Sequence, residues 1–223
     1  MDYKFKNCAV SILTALGLFA CCVGVTNPET DYVGIDVSHH QGKIDWKTVG
    51  EDERVQFVYV KATEGATYVD DAYATNVKET RKNGLKVGSY HYLRNTSTVS
   101  EQFKNFKTVV KKDEQDLIPM LDVEEKVAKA DIQAFCDSVE NYYGVQPVIY
   151  GTNMSYNELC APEFNDHILM TGRYGTEPPF IKGKGHYSIW QYSQCGIIKG
   201  ISKPVDLSRF HPDFSVDKLQ LKK

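Results

Sequence analysis

The sequence predicts an α/β barrel on a largely parallel sheet, folded as one domain. Three observations lead there. From Tyr32 onward, short apolar runs alternate with amphipathic stretches, the order expected of βα units around a parallel sheet. Several runs, Val55 to Val60 among them, are apolar at consecutive positions, which suits strands covered on both faces. Acids and aromatics gather just after the runs, where barrels of this class carry their functional side chains.

Seven runs read as strands: Tyr32 to Val37, Val55 to Ala62, Lys86 to Leu93, Leu117 to Val123, Gln146 to Tyr150, His167 to Thr171 and His186 to Tyr192. The helices between them carry their own signals. Val99, Phe103, Phe106 and Val110 share one helical face, and Thr98 followed by Glu101 makes a capping box at its start. Ile132, Phe135, Val139, Tyr142 and Tyr143 form a second apolar stripe, closed by Gly144 where a left-handed cap is wanted. A third helix, from about Asp70 to Asn83, is mostly polar and is expected on the surface, ending at Gly84. Between Cys160 and Gly185 prolines and glycines predict long loops around one short strand. No internal repeat or low-complexity segment is present.

The chain has 223 residues, 42% of them hydrophobic, enough for one substantial core. Its formal net charge of -3 supplies no basic field for nucleic acid or for an anionic membrane surface, so neither is expected as a partner. Residues 1–20 read as an export signal: Lys4 and Lys6 precede an apolar run from Cys8 to Ala20 that is too short to span a bilayer comfortably. Leu18-Phe19-Ala20-Cys21 resembles a bacterial lipobox, although Phe19 is bulky for that motif. Lipidation at Cys21 is therefore expected, with simple secretion as the alternative. Residues 21–31 would be a tether and 32–223 the catalytic domain, a monomer held at the cell envelope. The cysteines do not make a disulfide framework. A Cys160–Cys195 pair is one possibility that spacing leaves open, Cys136 falls on an apolar helix face, and no cysteine is given a catalytic role.

The chemistry collects at the strand ends. Asp36 ends the first run, Glu64 follows the second, His91 and Tyr92 end the third, Asp122 and Glu124 the fourth and Tyr150 the fifth. Trp190 and Tyr192 close the last, and Asp206 follows Val205. In Pro119-Met120-Leu121-Asp122-Val123-Glu124, strand alternation points Asp122 and Glu124 to one face with Cα atoms roughly 6.5–7 Å apart. Repulsion and partial burial then raise the pKa of one acid beside an ionised partner, the arrangement that glycoside hydrolysis requires. Tyr90, Tyr92, Tyr150, Trp190 and Tyr192 lie where a sugar-stacking floor would be. His39 and His40 do not read as a metal site, since adjacent side chains should diverge and no ligand set accompanies them; a loop beside the site's mouth is expected. There is no phosphate loop, no G-x-S-x-G elbow and no zincin motif. No cofactor or metal is called for.

Seven short blocks, in order, resemble those of glycoside hydrolase family 25 lysozymes. They are Gly34-Ile35-Asp36-Val37-Ser38, Val60-Lys61-Ala62-Thr63-Glu64-Gly65, Gly88-Ser89-Tyr90-His91-Tyr92, Met120 to Glu124, Ile149-Tyr150, Trp190-Gln191-Tyr192 and Val205-Asp206. The resemblance implies an irregular, flattened β/α barrel of TIM-barrel type with reduced outer helices. It also implies N-acetylmuramidase action on peptidoglycan glycan strands. It makes Glu124 the proton donor, Asp122 its neighbour at the sugar, and Asp36 and Asp206 two further acids of the cleft. Glu64, Tyr90, His91, Tyr92, Tyr150, Trp190, Gln191 and Tyr192 are the expected substrate-binding residues. Asp122 is then either a nucleophile or a partner for the substrate's own 2-acetamido group, and side-by-side display from one strand favours the second. The rivals are a non-catalytic peptidoglycan-binding lipoprotein and a chitinase-like hydrolase of N-acetylglucosamine polymers.

Overall fold

The structure, a computed structural model, describes residues 33–183 and 185–222. The expected signal peptide, the tether and Cys21 lie outside the described residues. Eight strands close into a barrel: β1 (Gly34–Val37), β2 (Phe57–Glu64), β4 (Lys86–Tyr92), β5 (Met120–Asp122), β6 (Val148–Thr152), β7 (Leu169–Gly172), β8 (Ile189–Gly196) and β9 (Val205–Phe210). β3 (Tyr68–Val69) hangs from β2 as a short hairpin. Neighbours from β1 to β8 run parallel. β9 is antiparallel to both β8 and β1 and closes the ring. The seven apolar runs are all strands, whereas β9, which the run pattern does not mark, is the eighth. Its inward positions carry Asp206 and Ser208, so it lacks the continuous apolar signature of a covered strand.

Two apolar clusters correspond to the two faces of the sheet. Phe57, Tyr59, Met120, Val148, Tyr150, Met170 and Ile189 fill the barrel interior, with Leu117 and Leu219 packed into the same cluster. The alternate residues, among them Ile35, Val58, Val60, Leu121, Ile149 and Leu169, pack outward with the helices. Gly34 leaves room for the Phe57 ring, which a Cβ there would meet at 2.0 Å.

Among the described residues, five α-helical segments lie outside the sheet: α1 (Trp46–Gly50), α2 (Tyr73–Lys82), α3 (Val99–Val109), α4 (Lys129–Tyr143) and α5 (Asn153–Ser155), which runs on into a π-helical turn, Tyr156–Cys160. The Thr98–Glu101 capping box is formed in both directions, and Gly144 ends α4 in the left-handed region at φ 81°. α2 starts later than the polar pattern implies because Asp70 is not helical. Its buried carboxylate accepts from the backbone N–H groups of His39 and Ala72 instead. α2 also buries Tyr73, Asn76, Val77 and Thr80, so a narrow stripe anchors an otherwise polar surface helix.

Two expectations are corrected. Cys160 is a free, buried thiol and Cys195 is disulfide-bonded, so the Cys160–Cys195 pair does not form. The His39 and His40 rings do not diverge but lie 3.9 Å apart, because the 3-10 turn His39–Gln41 folds them together and Asp70 holds His39 Nδ1 at 2.7 Å.

Candidate active site

Strand parity decides which side chains reach the interior. Above the apolar plug, the same inward rows continue with Asp36 on β1, Lys61 on β2, Tyr90 and Tyr92 on β4, Asp122 on β5, Tyr150 on β6 and Gln191 on β8. Alternation runs on past the end of β5, since Val123 N–H still bonds Tyr150 O at 2.9 Å, and so brings Glu124 to the same side as Asp122. Asp206 arrives differently. It sits near the start of the antiparallel β9, directly opposite Asp36, so it shares the end at which the parallel strands finish. Four acids from three separate strands and one strand-following segment thus share the mouth of the barrel.

Their surroundings set the chemistry. Gln191 Nε2 donates to Asp36 Oδ2 at 2.9 Å, while Gln191 Oε1 accepts from Tyr150 OH at 2.8 Å and Tyr174 OH at 3.1 Å. Gly172 makes the crossing possible, because a Cβ there would lie 2.7 Å from Tyr150 OH. Asp36 Oδ1 and Asp122 Oδ1 are buried without a hydrogen-bond partner. Burial, and then the charge of Asp206, push the Asp36 pKa well above the carboxylate range despite the Gln191 bond. Burial, then Glu124, raise Asp122 well above that range, with Lys61 opposing. Glu124 reaches solvent, yet the protein around its carboxyl displaces enough water to raise its pKa too, again against Lys61. Asp206 rises to about 7, through burial and then Glu124. The cluster therefore keeps protons where isolated carboxyls would lose them.

Lys61 is the inward charged residue that strand-end reasoning missed. Its ammonium binds Glu64 Oε2 at 2.6 Å and lies 5.3 Å from the Tyr92 ring centroid and 5.5 Å from that of Tyr68. It acts as the counter-charge that limits how far the acid pair is raised. The available signal was a lone lysine at an inward position of an otherwise apolar strand. Tyr174 was missed as well, since it lies in the weakly patterned loop after β7. Glu64 is at the edge of the site, tied to Lys61 and 3.5 Å from Arg94, which also pairs with Glu125 at 2.5 Å.

Three expected binding residues are not in the site. His91 faces outward: its Nδ1 is 2.7 Å from Thr63 Oγ1, its Nε2 3.1 Å from Gln102 Oε1, and its ring stacks on Phe135 at 4.8 Å. Burial lowers its pKa to about 4, so it is a neutral structural link between β2, β4 and α3. Trp190 and Tyr192 also point outward, both buried, beneath the Arg209 guanidinium at 4.2 and 4.7 Å from their centroids. They cover a stretch of the sheet, and the inward Gln191 between them is the residue that reaches the acids. Of the aromatics expected to form a floor, Tyr90, Tyr92 and Tyr150 are the ones on inward rows. Among the described residues no group of three or more His, Cys, Asp or Glu side chains is arranged to hold a metal ion.

The raised acid pKa values carry a stability cost at neutral pH. The folded chain holds the Asp206 proton up to about pH 7, whereas the ordinary value is 3.8, so the folded state binds the extra proton in between. Stability from this group is complete below the lower value and is lost as pH rises through the upper one. Asp206→Asn is expected to raise Tm by about 2–6 °C at pH 7.5 and by little at pH 4, where the native side chain is already neutral. Thermal unfolding at the two pH values checks this; equal shifts would show that charge is not the cause.

A closed barrel with paired carboxyls and tyrosines at its mouth has what glycoside hydrolysis requires. The model of glycosyl hydrolases family 25 matches residues 35–201, and the chain belongs to that family. The chain is 34% identical over 197 residues to the uncharacterized protein YegX of Escherichia coli K12, covering 84% of this chain and 71% of that one. It is 33% identical over 183 residues to the autolytic lysozyme of Clostridium acetobutylicum, covering 79% of this chain and 55% of the longer relative. The crystal structure of the bacterial lysozyme from Streptomyces coelicolor superposes with a TM-score of 0.75 at 29% identity, covering 86% of this chain and 96% of that one. The flattened barrel implied by the seven sequence blocks is the observed fold.

Proposed function

We propose that the chain is a lysozyme that cleaves the β-1,4 bond between N-acetylmuramic acid and N-acetylglucosamine in peptidoglycan. Glu124 is the general acid and Asp122 its assistant. The observation that carries this reading is the inward acid cluster, in which the buried Asp122 keeps an unpartnered oxygen beside the solvent-reaching Glu124. Membership of the family and the lysozyme relatives support the substrate class. Asp36 and Asp206 set the charge of the pair, Glu64 and Gln191 hold Lys61 and Asp36, and the three inward tyrosines form the sugar floor. The catalytic unit is residues 32–223, and export to the cell envelope with a lipid on Cys21 remains the reading of the N-terminus.

The proton has to be on Glu124 when the glycosidic oxygen departs. Burial raises both Asp122 and Glu124, so the pair holds a proton that either carboxyl can carry in the free site. An acetamido N–H donating to Asp122 Oδ1 favours its ionised form, and the shared proton then belongs on Glu124. Substrate binding thus arms the acid. The acetamido oxygen attacks C1 as the C–O bond breaks and Glu124 protonates the leaving oxygen. Asp122 offsets the positive charge of the oxazolinium ring, and water, losing a proton to Glu124, opens it.

The test is the product end. Purified peptidoglycan is digested, reduced with borohydride and analysed by mass. Reduced N-acetylmuramic acid is expected, reduced N-acetylglucosamine would indicate a glucosaminidase, and cleavage of chitin in preference to peptidoglycan would favour the chitinase-like alternative.

A further inference from the structure

Large exposed apolar side chains are unevenly placed on this molecule. Among the described residues, Tyr68, Val69, Met154, Tyr174, Phe180 and Ile197 all lie in segments leaving the C-terminal ends of β2, β6, β7 and β8, the end where the acids open; Tyr142 lies elsewhere. Single exposed apolar residues are ordinary. The group beside β6 and β7, however, is built. Asn153 Nδ2 and Asn157 Nδ2 both donate to Phe180 O, at 2.5 and 2.7 Å, Lys182 N–H donates to Asn157 Oδ1 at 2.6 Å, and the Arg173 guanidinium donates to Pro178 O at 2.7 Å. These bonds anchor a loop that has no ladder of its own. Pro179 and Ile181 are buried on either side, yet Phe180 is 66% exposed, and Met154, next to the Asn153 that holds it, is 78% exposed. A loop that only closed the barrel would have no need to pin a phenylalanine outward.

We propose that this wall, Phe180 and Met154 with Arg173 and Lys182 alongside, is the subsite for the peptide stem carried by N-acetylmuramic acid. The inference rests on the peptidoglycan reading above and deepens it. A stem leaves the sugar through a lactyl ether and presents methyl side chains and carboxylates, away from the ring faces that the inward tyrosines would stack. A thioether and a phenyl ring suit methyl groups better than hydroxyl-covered sugar, and the two cations suit carboxylates. Tyr174 links the wall to the acids, because its hydroxyl bonds the same Gln191 oxygen as Tyr150. The clamp uses the Phe180 backbone, so removing the side chain leaves the loop in place.

The test compares two substrates with one enzyme: peptidoglycan with its stems, and the same glycan after an amidase has removed them. Phe180→Ala, Met154→Ala and the double variant are measured beside wild type and a Tyr142→Ala control, with thermal unfolding to confirm folding. The double variant is expected to lose about five- to twentyfold more kcat/KM on stem-bearing than on stripped glycan, mainly through KM. An equal loss on both materials would place the wall against sugar, and no loss on either would make it mere surface; both overturn the proposal. Wild-type inactivity on both materials would instead remove the peptidoglycan reading, and this inference with it.

Discussion

Glu124→Gln is expected to fold normally and to lose about 10²- to 10⁴-fold in turnover, the range that a positioned general acid supplies. The amide keeps the shape of the carboxyl and its capacity to accept a hydrogen bond, and removes the transferable proton together with the charge left when it departs. The residue reaches solvent at the mouth, so little stability should depend on it. Its charge also raises Asp122 and Asp206, which makes the variant informative twice. With that charge gone, both neighbours should release their protons at lower pH, and unfolding free energy at pH 7 should not fall. Turnover of peptidoglycan, measured with thermal unfolding on the same samples, checks both halves. Near-normal turnover in a folded variant would remove Glu124 as the acid.

The sequence made the barrel legible because covered parallel strands announce themselves as unbroken apolar runs, and because the Thr98 box and Gly144 are local signals that tertiary packing did not need to override. β9 was illegible for the opposite reason. Its inward residues are Asp206 and Ser208, whose placement depends on closure against β1. Asp36 and Asp122 lie at or near strand ends, Glu124 just past one and Asp206 near a strand start, so strand ends led to most of the cluster, but an end contains residues of both parities. His91, Trp190 and Tyr192 share strand ends with Tyr90, Tyr92 and Gln191 and point the other way, into contacts with Phe135 and Arg209. Counting by twos within each strand from an interior residue, such as Ile189 on β8 or Tyr59 on β2, separates inward from outward positions. Lys61 obeys that count as well, and only the expectation that a strand-end acid or aromatic carries the chemistry hid it. Tyr174 and Phe180 were beyond reach, since their positions are set by asparagines on a neighbouring turn and by Gln191 across the barrel, bonds with no signature in local pattern.

Asp122→Asn is expected to cost about as much turnover as the loss of the acid, because two of its tasks fail together. The unpartnered Oδ1 that would accept the acetamido N–H becomes part of an amide that offers no charge to the oxazolinium ring. The carboxyl that competes with Glu124 for the shared proton is gone as well. That second change distinguishes the proposed route from a covalent one. With no buried anion beside it, Glu124 should release its proton at lower pH, so the residual activity of Asp122→Asn should have its optimum shifted toward acid. Wild-type product should keep the β configuration when followed by NMR before mutarotation, since two inversions occur at C1. Retention alone does not separate the two mechanisms, because a glycosyl ester on Asp122 would also retain. Trapping does. Reaction with a fluorinated sugar followed by peptide mass analysis should leave Asp122 unmodified, and a stable ester there would make it the nucleophile. The side-by-side display of Asp122, at the end of β5, and Glu124, two residues on, argues against that ester, since a nucleophile needs the face of C1 opposite the departing oxygen.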